Sequence, residues 1–121
     1  TEHTRKPYVL FPRYIKPLYN HEFALRAIGL LPNQIKENYK MVFVGKDAGD
    51  LHYQKKLIEL MKAMPDVDIE FLPKQSQHAI IQRYSAASLV VMTPLSDGSP
   101  VSALEAYACG VPVILPPLEY D

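Results

Sequence analysis

Short apolar runs alternate along this chain with longer stretches in which apolar residues recur at helical spacings. Tyr8 to Phe11 is an apolar run behind a basic leader and predicts a first strand; Pro12 and Pro17 bracket an irregular connection. His21 to Leu31 places Phe23, Leu25, Ala27, Ile28 and Leu31 at mixed helical spacings and predicts a helix, which Pro32-Asn33 ends. Met41 to Val44 is a β-branched and aromatic run closed by Gly45, a second strand. Asp50 is placed to cap a helix carrying Leu51, Leu57, Ile58, Leu60 and Met61, which Pro65 stops. Asp68 to Leu72 predicts a third strand. Ser76 is placed to cap a helix over Gln77 to Ala87, with Ile80, Ile81 and Tyr84 turned inward. Leu89 to Thr93 predicts a fourth strand, Val101 to Cys109 a helix, and Val111 to Leu115 a fifth strand.

Strands that alternate with helices imply βαβ units around a parallel sheet. Right-handed crossovers leave few arrangements, of which the doubly wound order 3-2-1-4-5 is the simplest. The fold class is therefore α/β, with a Rossmann-like doubly wound sheet. In that order the first and fourth strands are neighbours, and the chain reverses direction between them. Ligands bind beyond the carboxyl ends of the strands at such a point. Arg13 lies just past the first strand and Asp97 just past the fourth, so the two are expected in one crevice although far apart in sequence.

Composition narrows the picture modestly. The 121 residues amount to one domain or part of one, and 48% of them are hydrophobic, enough for a core. A formal net charge of zero gives no electrostatic reason to expect nucleic acid. The single cysteine, Cys109, forms no internal disulfide and fits a reducing compartment. No run approaches the roughly 18 apolar residues of a membrane span. The N-terminus lacks the long apolar core of a secretory signal. The chain starts almost on its first strand and stops at Pro116-Pro117-Leu118-Glu119-Tyr120-Asp121, and so reads as an excised fragment.

The candidate chemistry sits in residues 96 to 114, SDGSPVSALEAYACGVPVI. Ser99 is suited to cap the helix and Pro100 to open it. Free N–H groups of Val101 and Ser102, with the helix dipole, favour an anion there, and no acidic residue of the first turn fills that place. Arg13 across the crevice can donate two hydrogen bonds to phosphate oxygens. Glu105 lies about 7 Å further along the axis, a distance that suits ribose hydroxyls when a diphosphate sits at the helix tip. Asp97 would face a sugar on the other side of the phosphates. Each has a plainer reading. Asp97-Gly98 is a common turn pair. Arg13 could be a surface ion-pair partner. Glu105, standing among Ala103, Leu104, Ala106, Tyr107 and Ala108, needs a partner, which a neighbouring loop could supply.

This segment resembles the signature of the retaining glycosyltransferases of family 4, in the C-terminal domain of their GT-B fold. There an acidic residue, seven further residues and Glu precede a stretch matched here by ACGVPVI, with Asp97 and Glu105 at the two acidic positions. YVLFPRYIKPLYNHEFALRAIGLL resembles the opening strand, Arg and helix of the same domain. MVFVG and IEFLPKQSQHAIIQRYSAASLVVMTPLSDG resemble its later parts, so the likeness covers almost the whole chain.

The resemblance implies a donor-binding domain over residues 1–121, one half of a GT-B enzyme. The acceptor-binding domain would precede Thr1 and the last elements would follow Asp121; the fragment alone would not catalyse. It implies transfer of a sugar from a nucleoside diphosphate with retention at the anomeric carbon, without a cofactor or an essential metal. Arg13 would bind and stabilise the departing diphosphate, and Asp97 would contact the transferred sugar. Backbone N–H groups around Gly98, Ser99, Val101 and Ser102 would contact sugar and phosphate, Glu105 would hold the ribose, and Lys74 would lie near the base. The acceptor, a saccharide or a lipid-linked one, would bind the other domain. The implied setting is cytoplasmic synthesis of a surface polysaccharide or glycoconjugate, with membrane contact of the parent left open.

Three positions depart from the family pattern. Where many members carry Lys-Gly after the Arg, this chain has Leu18-Tyr19-Asn20, with Lys16 the nearby substitute for the second cation. Pro100 removes an N–H where many have Gly, and Ser88 stands where an Asp usually precedes the fourth strand. Two alternatives remain open: a nucleotide-sugar epimerase of the same fold, for which no second acid or base stands out, and a non-catalytic binding module. Asp66-Val67-Asp68 looks like a metal-binding DxD but falls at a strand entry. His3, His21, His52 and His78 have no ligand spacing and read as surface or capping residues. Cys109 reads as a small core residue. Neither GxGxxG after the first strand nor GxxxxGK[ST] occurs, against NAD-binding and P-loop readings.

Overall fold

The computed structural model describes residues 6–13, 15, 17–46, 50–94 and 101–115. Five strands, β1 (Tyr8–Phe11), β2 (Lys40–Lys46), β3 (Ile69–Pro73), β4 (Leu89–Val91) and β5 (Val113–Ile114), form one parallel sheet in the order β3-β2-β1-β4-β5. That is the doubly wound order expected from the alternation of elements. β1 is central, with Tyr8 opposite Lys40 and Phe11 opposite Phe43 on one side, and Val9 opposite Leu89 on the other.

Both faces of the sheet are covered, which is why Tyr8 to Phe11 of β1 and Met41 to Val44 of β2 are continuously apolar rather than alternating. Side chains still point to opposite faces in turn. Phe11, Met41 and Phe43 enter one core with Leu25 and Ile28 of α1 (His21–Gly29) and Leu57 of α3 (Leu51–Lys62). Phe43 stacks on Phe11 at 4.3 Å between centroids and meets Phe71 edge-on at 5.3 Å. Leu10, Val42 and Val44 enter the other core with Tyr84 of α4 (Gln77–Ala86) and with Ala103 and Ala106 of α5 (Val101–Ala108). Each fully buried large apolar side chain contributes about 2 kcal/mol through removal from water.

Local chemistry sets the element ends. The Asp50 carboxylate accepts from the Tyr53 N–H at 2.9 Å and starts α3; the Ser76 hydroxyl accepts from the Ala79 N–H at 3.1 Å and starts α4. Both caps fall where the sequence places them. α1 begins differently. Its N-cap, Asn20, is left-handed (φ 53°) and makes no side-chain cap bond. The Tyr53 hydroxyl of α3 accepts from the Glu22 N–H instead, at 2.9 Å.

Several boundaries differ from the sequence expectation. α1 stops at Gly29, and a further short helix, α2 (Asn33–Asn38), follows Pro32. It carries a single large apolar residue, Ile35, so no periodicity announces it. β2 does not end at Gly45 but runs through it to Lys46, with a register shift that the φ of 109° at Gly45 permits. β4 ends at Val91, before Thr93, and β5 pairs only from Val113, although Val111 is buried. Asp66 does lie in a turn and Asp68 at the entry to β3, bonded to Lys36 and Lys6.

Candidate functional site

β1 and β4 are adjacent, and their carboxyl ends open onto the point where the strand order reverses. A hollow of about 270 Å³ lies there, lined by Pro12, Arg13, Tyr19 and Ser102. Pro12 and Arg13 continue from β1, Tyr19 closes a 3-10 turn (Pro17–Tyr19), and Ser102 belongs to the first turn of α5. Residues distant in sequence thus meet through the topology alone. A larger hollow of about 770 Å³ runs under α4, past Tyr8, Lys40 and Glu70. Within it Lys40 pairs with Glu70 at 3.1 Å and Lys6 with Asp68 at 3.3 Å, and it shares no lining residue with the smaller hollow. The smaller one occupies the position where open α/β sheets bind ligands.

Arg13 is half-buried, with its guanidinium carbon 4.1 Å from the centroid of the Tyr19 ring. Its carbonyl oxygen lies 3.2 Å from Nε2 of His21, whose ring therefore donates there. His21 is 3% exposed, which corrects the expectation of a surface or capping histidine. Burial is the main reason its pKa falls to about 4; the hydrogen bond to the Arg13 carbonyl opposes this and the Arg13 charge adds to it. Nδ1 has no hydrogen-bond partner. His52 and His78 are exposed, as read from the sequence.

The turn holding Tyr19 is pinned to the end of β4. The Thr93 hydroxyl lies 3.0 Å from the Tyr19 carbonyl oxygen and 3.2 Å from that of Asn20, and donates to this pair. Thr93 thus ties the chain just past β4 to this turn through its side chain, while the Met92 N–H still donates to the Ile114 carbonyl at 3.1 Å.

On α5, Ala103 and Ala106 face the core while Ser102 and Glu105 share the neighbouring stripe, one turn apart. Glu105 is half-buried and its Oε2 accepts from Nε2 of Gln77 at 2.8 Å, across from the start of α4. The partner that the sequence placed in a neighbouring loop is instead Gln77, the first residue of α4. A carboxylate offers about four lone-pair directions, so Glu105 keeps acceptor capacity. Tyr84, buried in α4, connects the parts: its phenol bonds the Ser102 side chain and feels both Glu105 and Arg13. Burial, then the Glu105 charge, raises its pKa; the Ser102 bond and Arg13 oppose that.

Among the residues singled out in the sequence, Arg13 and Ser102 are brought together at the hollow, and Glu105 sits beside them through Tyr84. Val101 is the first residue of α5. Lys74 is exposed just past β3 and does not line the hollow; Gln77, three residues on, links that loop region to Glu105. Asp97, Gly98, Ser99, Pro100 and Lys16 lie outside the described residues. Tyr19, Tyr84 and His21 were not anticipated. A tyrosine at a core-facing position whose hydroxyl needs a partner was the available signal for Tyr84. Cys109 is partly buried and packs on the second core. Among the described residues no group of three His, Cys, Asp or Glu side chains could hold a metal ion, and no helix is long and apolar enough to cross a membrane.

A doubly wound parallel sheet with an arginine-lined crevice at its switch point defines a Rossmann-like domain suited to an anionic ligand. The chain belongs to the glycosyl transferases group 1, whose family model matches residues 1–117. It is 32% identical over 113 residues to the D-inositol 3-phosphate glycosyltransferase of Mycolicibacterium smegmatis, a match covering 92% of this chain and 25% of that protein. The namesake from Rhodococcus jostii is also 32% identical over 113 residues, covering 91% and 25%. The chain spans about a quarter of the length of these curated relatives. Its fold matches that of Anabaena HepE in complex with UDP-glucose, with a TM-score of 0.78 at 20% identity over 92% of this chain and 30% of that one. WaaG, a glycosyltransferase involved in lipopolysaccharide biosynthesis, gives 0.76 at 17% identity over 91% and 28%. At these identities the last two likenesses are of the fold alone.

Proposed function

We propose that this chain is the donor-binding domain of a GT-B glycosyltransferase that takes a sugar from a nucleoside diphosphate and transfers it with retention of anomeric configuration. The observation that carries this reading is the meeting of Arg13 and Ser102 at the switch-point hollow, with Glu105 one helical turn away. In the proposed complex Arg13 binds the diphosphate and stabilises the charge that develops as the glycosidic bond breaks. The N-terminal amides of α5, those of Val101 and Ser102, add dipolar stabilisation, and the backbone N–H groups of Gly98 and Ser99 contact sugar and phosphate. Glu105 accepts from ribose hydroxyls, Asp97 contacts the transferred sugar, and Lys74 lies toward the base. This chemistry needs cationic and dipolar groups and no cofactor.

A saccharide or lipid-linked acceptor would bind a second domain of the parent protein, with residues 1–121 supplying the donor half. Synthesis of a surface polysaccharide or glycoconjugate in the cytoplasm is the setting we propose, supported by the described role of WaaG in lipopolysaccharide biosynthesis. The test is calorimetric titration of the full-length protein with UDP, GDP and ADP, together with donor turnover. Arg13→Ala and Glu105→Ala should each abolish turnover, and Glu105→Ala should weaken the nucleotide that binds by at least about tenfold, as loss of a charge-assisted hydrogen bond predicts. Wild-type turnover in both variants would overturn the site assignment.

A further inference from the structure

We propose that Tyr19 is a positioning residue for Arg13, presenting its guanidinium to the diphosphate by covering one face of it; this rests on the donor-site reading above. Three features of the fold support the assignment. Tyr19 and Arg13 line the same hollow, and the guanidinium carbon is 4.1 Å from the ring centroid. A cation resting over a ring is attracted to its face, while the N–H groups of a guanidinium lie along its edge, the side from which phosphate oxygens are bound. Each partner is also fixed from behind. The Arg13 carbonyl takes the His21 bond at 3.2 Å, while the Tyr19 and Asn20 carbonyls share the Thr93 hydroxyl. The Asn20 N–H closes the turn onto the Pro17 carbonyl at 3.0 Å.

The physical effect is preorganisation. A long cationic side chain loses considerable rotamer freedom when it orders on a ligand. Arg13 stacked on a pinned ring has lost much of it already, so more of the charge-assisted bonding appears as affinity. The ring stands in the segment where a second cation was sought in the sequence. Arg13 is then the main fixed cation of the described hollow, and its orientation determines the fit to a diphosphate.

A double-mutant cycle in the full-length protein tests this, with calorimetric binding of UDP, GDP and ADP as the readout. Tyr19→Leu should weaken the nucleotide that binds by roughly threefold to tenfold, the range of one stacked cation. Tyr19→Phe keeps the ring and should stay within about twofold of wild type by the same argument. In an Arg13→Ala background, Tyr19→Leu should cost nothing further. Equal losses in both backgrounds, or a loss in Tyr19→Phe as large as in Tyr19→Leu, would overturn the proposal. The Arg13 Nε–H resonance gives a ligand-free check: a ring shifts it upfield in wild type and Tyr19→Phe but not in Tyr19→Leu. If Arg13→Ala leaves binding intact while that shift is present, the donor-site reading fails and the stack stands without the role proposed for it. If the shift is absent in wild type, the stack itself is refuted.

Discussion

His21 shows how one buried side chain ties folding to the site. Its ring is sealed between Phe43 and Tyr53, at 5.9 and 6.5 Å between centroids, and its one hydrogen bond goes to Arg13. The folded pKa of about 4 lies below the ordinary 6.5, so the unfolded chain binds the proton first. Stability from this residue is therefore complete above pH 6.5 and is lost as pH falls toward 4. A shift of that size corresponds to about 3 kcal/mol. Glu22 and Asp66, whose carboxyls are held low by Arg26 and Lys56 and by Lys36, lose stability in the same direction at lower pH. Thermal unfolding of wild type and His21→Gln at pH 7 and pH 5 separates the contributions: the wild type should drop more steeply. Parallel curves would show that His21 is already exposed to protons. At this scale Arg13 and Glu105 were legible because each breaks a local pattern, a cation after a strand and a lone charge on an apolar helix. Tyr19, His21 and Tyr84 fit their local patterns, and their roles arise only from neighbours across the fold.

Elements were legible wherever a cap or a clear period marked them. Asp50 and Ser76 were readable as caps, and both hydroxyl and carboxylate accept the expected N–H. Removing either cap costs about 1 kcal/mol of stability. The two should differ in function. α4 carries Gln77, which holds Glu105, whereas α3 begins on the other face of the sheet. Ser76→Ala should therefore lower both melting temperature and nucleotide affinity, and Asp50→Ala only the former; equal effects on affinity would argue that Gln77 does not orient Glu105. What the sequence hid at this scale were ends decided by competition. The Thr93 hydroxyl ties the chain past β4 to the Tyr19 turn, and α1 borrows the Tyr53 hydroxyl for a cap it lacks.

For the molecule as a whole, the strand order followed from the alternation of elements and the rules of parallel crossovers. The meeting of Arg13 with Ser102 then needed no local signal, because the order itself makes β1 and β4 neighbours. The two cores, however, are unequal in their reach along the chain. Every buried member of the first lies between Phe11 and Val67, and β3, β2 and β1 are contiguous in the sheet. The second core gathers Leu10 and Val42 with Val90, Met92, Ala103 and Val111. During synthesis, then, one side of the sheet can close before the crevice-forming half has left the ribosome. Nascent chains stalled with residue 71 just clear of the exit tunnel should already resist limited proteolysis in β2 and α3, and stay cleavable there if both sides close together. Assembly of the face that carries Arg13 and Ser102 would be the late event, completed only when α5 settles against Tyr84.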